Sequence, residues 1–336
     1  MRRSFSQTSL ILSGITCAAF LLSACSTAPS TTTEQSSSSL NKLHVMTSFY
    51  PLQYLTEKIG GDHIIVSSLT PEGAEPHDLE ITPSKANELA SSEAIVYLKG
   101  FQPAVDEAIE MQAPKTVIDV SSAVQLLSSQ TEEADHDADH DHDADHESGH
   151  DHEAEHADHH HHHDMDFDPH FWLDPTRMAQ AATAIGQALA SADPEHAQTY
   201  TSNAASLKKN LEDLSTSLVQ GTAQCEHTTF VTAHTAFGYL AERTKLTQVG
   251  ISGLDPDASP SPARLKEIAE LVKEQGITTI FTEALIDPKV AETLAQDLGI
   301  TTAVLDPIES QSSPDKDYAA VMKDNIAALR TALSCK

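Results

Sequence analysis

One long helix in mid-chain limits the possible folds more than any other feature. After Asp193-Pro194, residues 195–218 hold no Gly or Pro, and Tyr200, Leu207, Leu211, Leu214 and Leu218 recur at helical intervals. That spacing lines one face with apolar side chains, and an Asp-Pro pair opens helices. The segments on either side of this helix repeat one grammar. Ahead of it, residues 43–49, 63–69, 94–98 and 116–120 read as strands, with helices over 52–59, 84–90 and 103–111. Behind it, residues 229–233, 247–251, 277–282 and 301–305 read as strands. Helices are expected over 236–243, from Ser261-Pro262 to about Glu274, after Asp287-Pro288, and over 315–333. Strands alternating with helices of this length argue for parallel βα units. An open hinge would need short extended crossovers, and none is visible. The expected fold is α/β, with two similar lobes, each a parallel sheet flanked by helices, joined by one long rigid helix. The lobes would span 43–192 and 223–336, with 193–222 linking them.

The N-terminus speaks to compartment. Met1-Arg2-Arg3 is basic, Leu10 to Leu22 is largely apolar, and Leu22-Ser23-Ala24-Cys25 places small residues before a cysteine. The run is shorter than the roughly 20 apolar residues of a membrane span and reads as a secretory signal over 1–24. Leu22 to Cys25 resembles a bacterial lipobox, so Cys25 is expected to carry a lipid at the outer face of the cell membrane. The Ser/Thr-rich stretch 25–42 would be its flexible tether. Cys17 leaves with the signal. Cys225 and Cys335 remain in an oxidising compartment, where a disulfide is the default. Net charge is -30, and 16 acidic residues without a Lys or Arg lie within 132–168. No basic patch suits nucleic acid, and an anionic lipid surface would repel the chain. A monomer is expected.

The chemistry lies in the histidines. Twelve of 19 crowd one acidic tract: His136, His140, His142, His146, His150, His152, His156, His159, His160, His161, His162 and His163. With almost no apolar residues, segment 131–166 is expected to be a disordered loop that binds several transition-metal ions weakly. Three others stand where open parallel sheets place their ligands, at carboxyl ends of strands or in long loops. His77 lies in the loop leaving strand 63–69, His170 follows the acidic tract, and His234 follows strand 229–233. Asp306 follows strand 301–305 in the same way. Each half thus offers two donors, and three imidazoles plus a carboxylate suit tetrahedral zinc. Four protein donors leave no open position for water, which argues for binding rather than hydrolysis. Glu283, at the end of strand 277–282, and more weakly Glu75, are alternative ligands or acceptors for an imidazole's second nitrogen. His44 and His63 sit at strand starts, His196 in a first helical turn and His227 before its strand, so these four are expected to be structural or exposed.

Four motifs carry a resemblance: Gly73-Ala-Glu-Pro-His77-Asp, Asp168-Pro-His170-Phe-Trp-Leu-Asp-Pro, Val231-Thr-Ala-His234-Thr-Ala-Phe-Gly-Tyr-Leu and Leu305-Asp306-Pro. In this order they are similar to the zinc- and manganese-specific solute-binding proteins of ABC importers, the ZnuA-like group. The likeness covers residues 43–335. It implies metal held in an interlobe cleft and delivered to an ABC permease, with a His-rich loop near the second ligand marking the zinc branch. Manganese members resemble this chain but replace the third histidine, here His234, with a carboxylate. The expectation is a non-enzymatic Zn(II)-binding subunit of a metal importer. The alternatives are a manganese or other transition-metal importer subunit and a surface adhesin lipoprotein.

Overall fold

The computed structural model describes residues 42–129 and 166–336. The signal segment, Cys25 and the histidines from His136 to His163 lie outside the described residues. The first lobe runs β1 (Leu43–Thr47), α1 (Tyr50–Gly60), β2 (Ile64–Ser68), α2 (Pro83–Ser91), β3 (Ala94–Tyr97), α3 (Pro103–Gln112) and β4 (Val117–Asp119). A two-stranded antiparallel ribbon follows, β5 (Leu127–Ser128) with β6 (Phe167–Asp168). Two consecutive helices come next, α4 (Pro175–Ala192) and α5 (Ala197–Thr222). The second lobe runs β7 (Thr229–Thr232), α6 (Gly238–Thr244), β8 (Thr247–Gly250), α7 (Pro262–Gln275), β9 (Thr279–Thr282), α8 (Lys289–Leu298), β10 (Thr301–Val304) and α9 (Tyr318–Ala332).

Both main sheets are four-stranded and parallel, ordered β2-β1-β3-β4 and β8-β7-β9-β10. Counted within each lobe this is one order, 2-1-3-4, so the repeated grammar is a repeated topology. The winding direction reverses beside the first strand of each sheet. Ligands of open sheets bind at the carboxyl ends of strands near such a reversal. Local capping repeats too. Thr82 and Ser261 each accept a backbone N–H three residues on, and a proline follows each cap. These are the Ncap and N1 preferences of helices.

Strand alternation sorts the side chains into layers. Val45, Val96, Phe230 and Phe281 point into one continuous core, built with residues of α1, α4, α5, α6 and α9. Their neighbours Met46 and Ile95 face α2 and α3, and Val231 and Ile280 face α7 and α8, in two outer clusters. The apolar face of α5 (Tyr200, Leu207, Leu211, Leu214 and Leu218) belongs to the shared core. The linking helix is therefore embedded between the lobes rather than strung between them.

Helix α4 packs tightly along α5. At Gly186 an added Cβ would lie 2.5 Å from the Ala204 methyl, so only glycine permits this approach. Polar ties also cross between lobes. Trp172 Nε1–H donates to the Pro307 carbonyl at 2.7 Å, and the Tyr239 hydroxyl donates to the Asp168 carbonyl at 2.6 Å. Cys225 and Cys335 form a disulfide, and Leu333 O accepts from the N–H groups of Glu226 and His227. Together these fasten the chain's end beside the start of β7.

Candidate metal centre

Four loops at the carboxyl ends of the strands converge between the two sheets. His77 comes from the β2–α2 loop and His170 from the turn after β6. His234 follows β7 by two residues, and Glu309 lies in the loop after β10. One donor atom from each lies within 4.8 Å of the other three. His170 Nε2 is 3.0 Å from Glu309 Oε1 and 3.3 Å from His77 Nε2. Glu309 Oε1 is 3.5 Å from His77 Nε2 and 3.3 Å from His234 Nε2. Donors about 2.0–2.1 Å from a tetrahedral zinc ion stand roughly 3.3 Å from one another, so these edges fit that polyhedron. His234 Nε2 is buried and, although Glu309 Oε1 stands 3.3 Å away, it makes no well-directed hydrogen bond. A buried polar nitrogen left unpaired costs free energy. A cation at the centre of the four donors removes that cost.

The surroundings fix two of the imidazoles. Asp168 Oδ1 accepts from the backbone N–H of His170 and lies 2.8 Å from its Nδ1. Glu283 Oε2 lies 2.7 Å from His234 Nδ1, and Oε1 accepts that residue's backbone N–H. A carboxylate on Nδ1 sets the tautomer that leaves Nε2 free to ligate and makes it more basic. His170 and His234 are completely buried, and the Trp172 ring, also buried, tilts against His170 with centroids 5.1 Å apart.

Electrostatics follow from this crowding of carboxylates. Burial opposes a charged imidazole, yet hydrogen bonds and charge from Asp168 and Glu309 raise the pKa of His170. At His234 burial is outweighed by Glu283 and then Glu309, which push it up to about 10. Burial would raise the Glu309 carboxyl, but His170, His234 and His77 together hold it well below the usual carboxylate range.

The structure brings together His77, His170 and His234 as the sequence suggested. The carboxylate within reach of the three imidazoles is Glu309 rather than the expected Asp306. The Asp306 carboxylate is already occupied. Oδ1 accepts from the Ile308 N–H at 2.7 Å and Oδ2 from the Ser312 hydroxyl at 2.6 Å. Asn325 brackets the Asp306 backbone, accepting its N–H and donating to its carbonyl. Asp306 thus shapes the loop that presents Glu309, and Ile308 (φ 57°) makes the turn between them. The signal for Glu309 was a second carboxylate in the same strand-end loop, three residues past Asp306. Glu283 serves His234 from behind rather than joining the four donors. Glu75 Oε1 lies 3.9 Å from His77 Nε2, and Oε2 accepts the His77 N–H. His196 is half-buried, 2.7 Å from Asp193 and stacked on His63 with centroids 4.0 Å apart, away from the centre.

A family model described as zinc-uptake complex component A, periplasmic (ZnuA), matches residues 45–332. The chain belongs to the ZnuA family. Zinc-binding lipoprotein AdcA of Streptococcus pneumoniae R6 is 33% identical over 300 residues, 86% of this chain and 55% of that protein. The chain thus spans about half the length of this relative. High-affinity zinc uptake system protein ZnuA of Bacillus subtilis is 33% identical over 324 residues, 94% of this chain and 95% of that one. The crystal structure of the Zn(II)-bound ZnuA-like domain of S. pneumoniae AdcA superposes with a TM-score of 0.68 at 30% identity. It covers 87% of this chain and 99% of that domain.

Proposed function

We propose that this chain is the extracytoplasmic zinc-binding subunit of an ABC importer, which captures Zn(II) between its lobes and delivers it to the membrane permease. The observation that carries the reading is the group of three imidazoles and Glu309, with donor atoms all within 4.8 Å of one another, Glu309 Oε1 3.0–3.5 Å from each imidazole, and two imidazoles backed by carboxylates. His77, His170, His234 and Glu309 are the ligands in this reading. Nitrogen-rich sets suit zinc, whereas magnesium, calcium and manganese favour oxygen. Four protein donors in a buried site leave no position for an attacking water, so the chain acts as a binding protein and not as a hydrolase.

The rest of the delivery scheme follows from sequence and topology. Cys25 carries the lipid that keeps the protein at the outer face of the membrane, and the protein works as a monomer. The His/Asp tract enters and leaves through the β5–β6 ribbon, and β6 ends on Asp168, two residues before His170. Ions gathered by the tract are therefore released beside the tight site. Deleting 132–164 is expected to lower the number of weakly held ions and to leave one tight site.

Calorimetric titration of protein lacking that tract, with a competing chelator, tests the assignment. Glu309→Ala is expected to weaken zinc binding by 10-fold or more, on the order of what losing a charged donor costs. A Glu309→Ala protein that keeps wild-type affinity, beside an Asp306→Asn protein that loses it, refutes the ligand set.

A further inference from the structure

Two of the three imidazoles are oriented by a carboxylate on Nδ1, Asp168 for His170 and Glu283 for His234. Among the described residues no carboxylate meets Nδ1 of His77. Its ring stands edge-on to Phe101, with centroids 4.9 Å apart and planes at 88°. The remaining restraints on His77 act through the backbone of the β2–α2 loop. Glu75 Oε2 accepts the N–H groups of His77 and Asp78. Buried Gln102 donates from Nε2 to the Pro76 carbonyl at 3.0 Å and to the Thr70 hydroxyl at 3.1 Å. These anchors all belong to the first lobe.

A backbone hydrogen bond carries the loop across to the second lobe, where the Asp78 carboxyl also faces those of Asp255 and Asp257. The Gly73 N–H donates to Ser310 Oγ at 2.7 Å, joining residues 237 positions apart. Ser310 is 4% exposed and adjoins Glu309. Gly73 has φ 74°, and a Cβ there would meet nothing within 4 Å. Its glycine therefore serves backbone direction, turning the amide towards Ser310, rather than making room.

We propose that the Ser310 hydroxyl is a latch that holds the His77 loop against the Glu309 loop and sets how long a bound zinc ion stays. The proposal rests on the zinc reading above. Ser310 touches none of the four donor atoms, so it is a positioning residue. An ion leaves a four-donor site after one donor lifts, and His77 is the donor whose side chain lacks a carboxylate brace. While the latch is closed, lifting His77 drags the backbone at Gly73 against its anchor on the other lobe. Once it opens, the backbone of the loop is held by first-lobe contacts, with the His77 and Asp78 side chains still facing the second lobe.

Zinc release into excess chelator, followed by stopped flow on the full mature chain, reads the residence time. Ser310→Ala is expected to speed release roughly five- to tenfold, the loss of one buried hydrogen bond. Ser310→Thr keeps the hydroxyl and is expected to stay within about twofold of wild type. Amide hydrogen exchange at Gly73 in metal-free protein reads the latch without zinc, and it is expected to accelerate in Ser310→Ala but not in Ser310→Thr. Release at the wild-type rate from Ser310→Ala overturns the proposal, whatever Gly73 exchange does. So does a threonine variant as fast as the alanine one. Failure of the wild-type chain to hold one zinc ion tightly defeats the zinc reading instead, and Gly73 exchange still reports whether the latch exists.

Discussion

At His234 the charges of Glu283 and Glu309 outweigh burial and push the imidazole up to about 10, and His170 is raised by Asp168 and Glu309. Without metal both rings therefore hold a proton more readily than a free imidazole, while Glu309 stays ionised. Imidazolium charge then balances the same carboxylates that a bound dication would balance. Calorimetry in buffers of different ionisation enthalpy is expected to show protons released as zinc binds. Because raised pKa values mean protons that must leave, zinc affinity rises with pH until both groups are neutral. Release of no protons would show that the imidazoles are neutral before the ion arrives. The three histidines were legible in the sequence because each follows a strand or a marked loop motif. Glu309 was not, since a rule that looks directly after the strand stops at Asp306. Only the turn at Ile308, with its positive φ, and the hydrogen bonds of Asp306 to Ile308 and Ser312 show which carboxylate faces inward.

Among the elements, the strands of both sheets and most helices lie within a few residues of where alternation, proline caps and spacing put them. Helix α4 is the exception. Its buried face mixes Met178, Ile185 and Leu189 with the small residues Ala179, Ala181, Ala182 and Gly186. Those small residues are what let α4 lie close on α5. Replacing Gly186 by Ala would gain helix propensity of about 1 kcal/mol in an ordinary helix. Here the new methyl would sit 2.5 Å from Ala204. Overpacking is expected to win, with a net loss of about 1–2 kcal/mol in denaturant unfolding. A more stable Gly186→Ala protein would mean that the two helices separate easily. The paired caps at Thr82 and Ser261 show the opposite case, in which local sequence and final structure agree at the same position in both lobes.

Across the whole molecule, the two lobes share one hydrophobic core around α5 and are tied by Trp172–Pro307, Tyr239–Asp168 and the convergence of four loops on one centre. A hinge motion would have to open that core. Zinc binding is therefore expected to tighten loops rather than swing lobes. Small-angle scattering on protein lacking 132–164 should change its radius of gyration by no more than about 1 Å between metal-free and zinc-loaded forms. A larger contraction would place a hinge in the α4–α5 layer. The repeated topology, the embedded helix and the convergent loops all serve to bring far-separated donors around one ion. X-ray absorption spectroscopy on the zinc-loaded chain without 132–164 tests that most directly. The account predicts four light donors, three of them imidazole, at about 2.0–2.1 Å, with one imidazole lost in His234→Ala and the oxygen donor lost in Glu309→Ala. A shell of five or six oxygens, or one left unchanged by both substitutions, would contradict it.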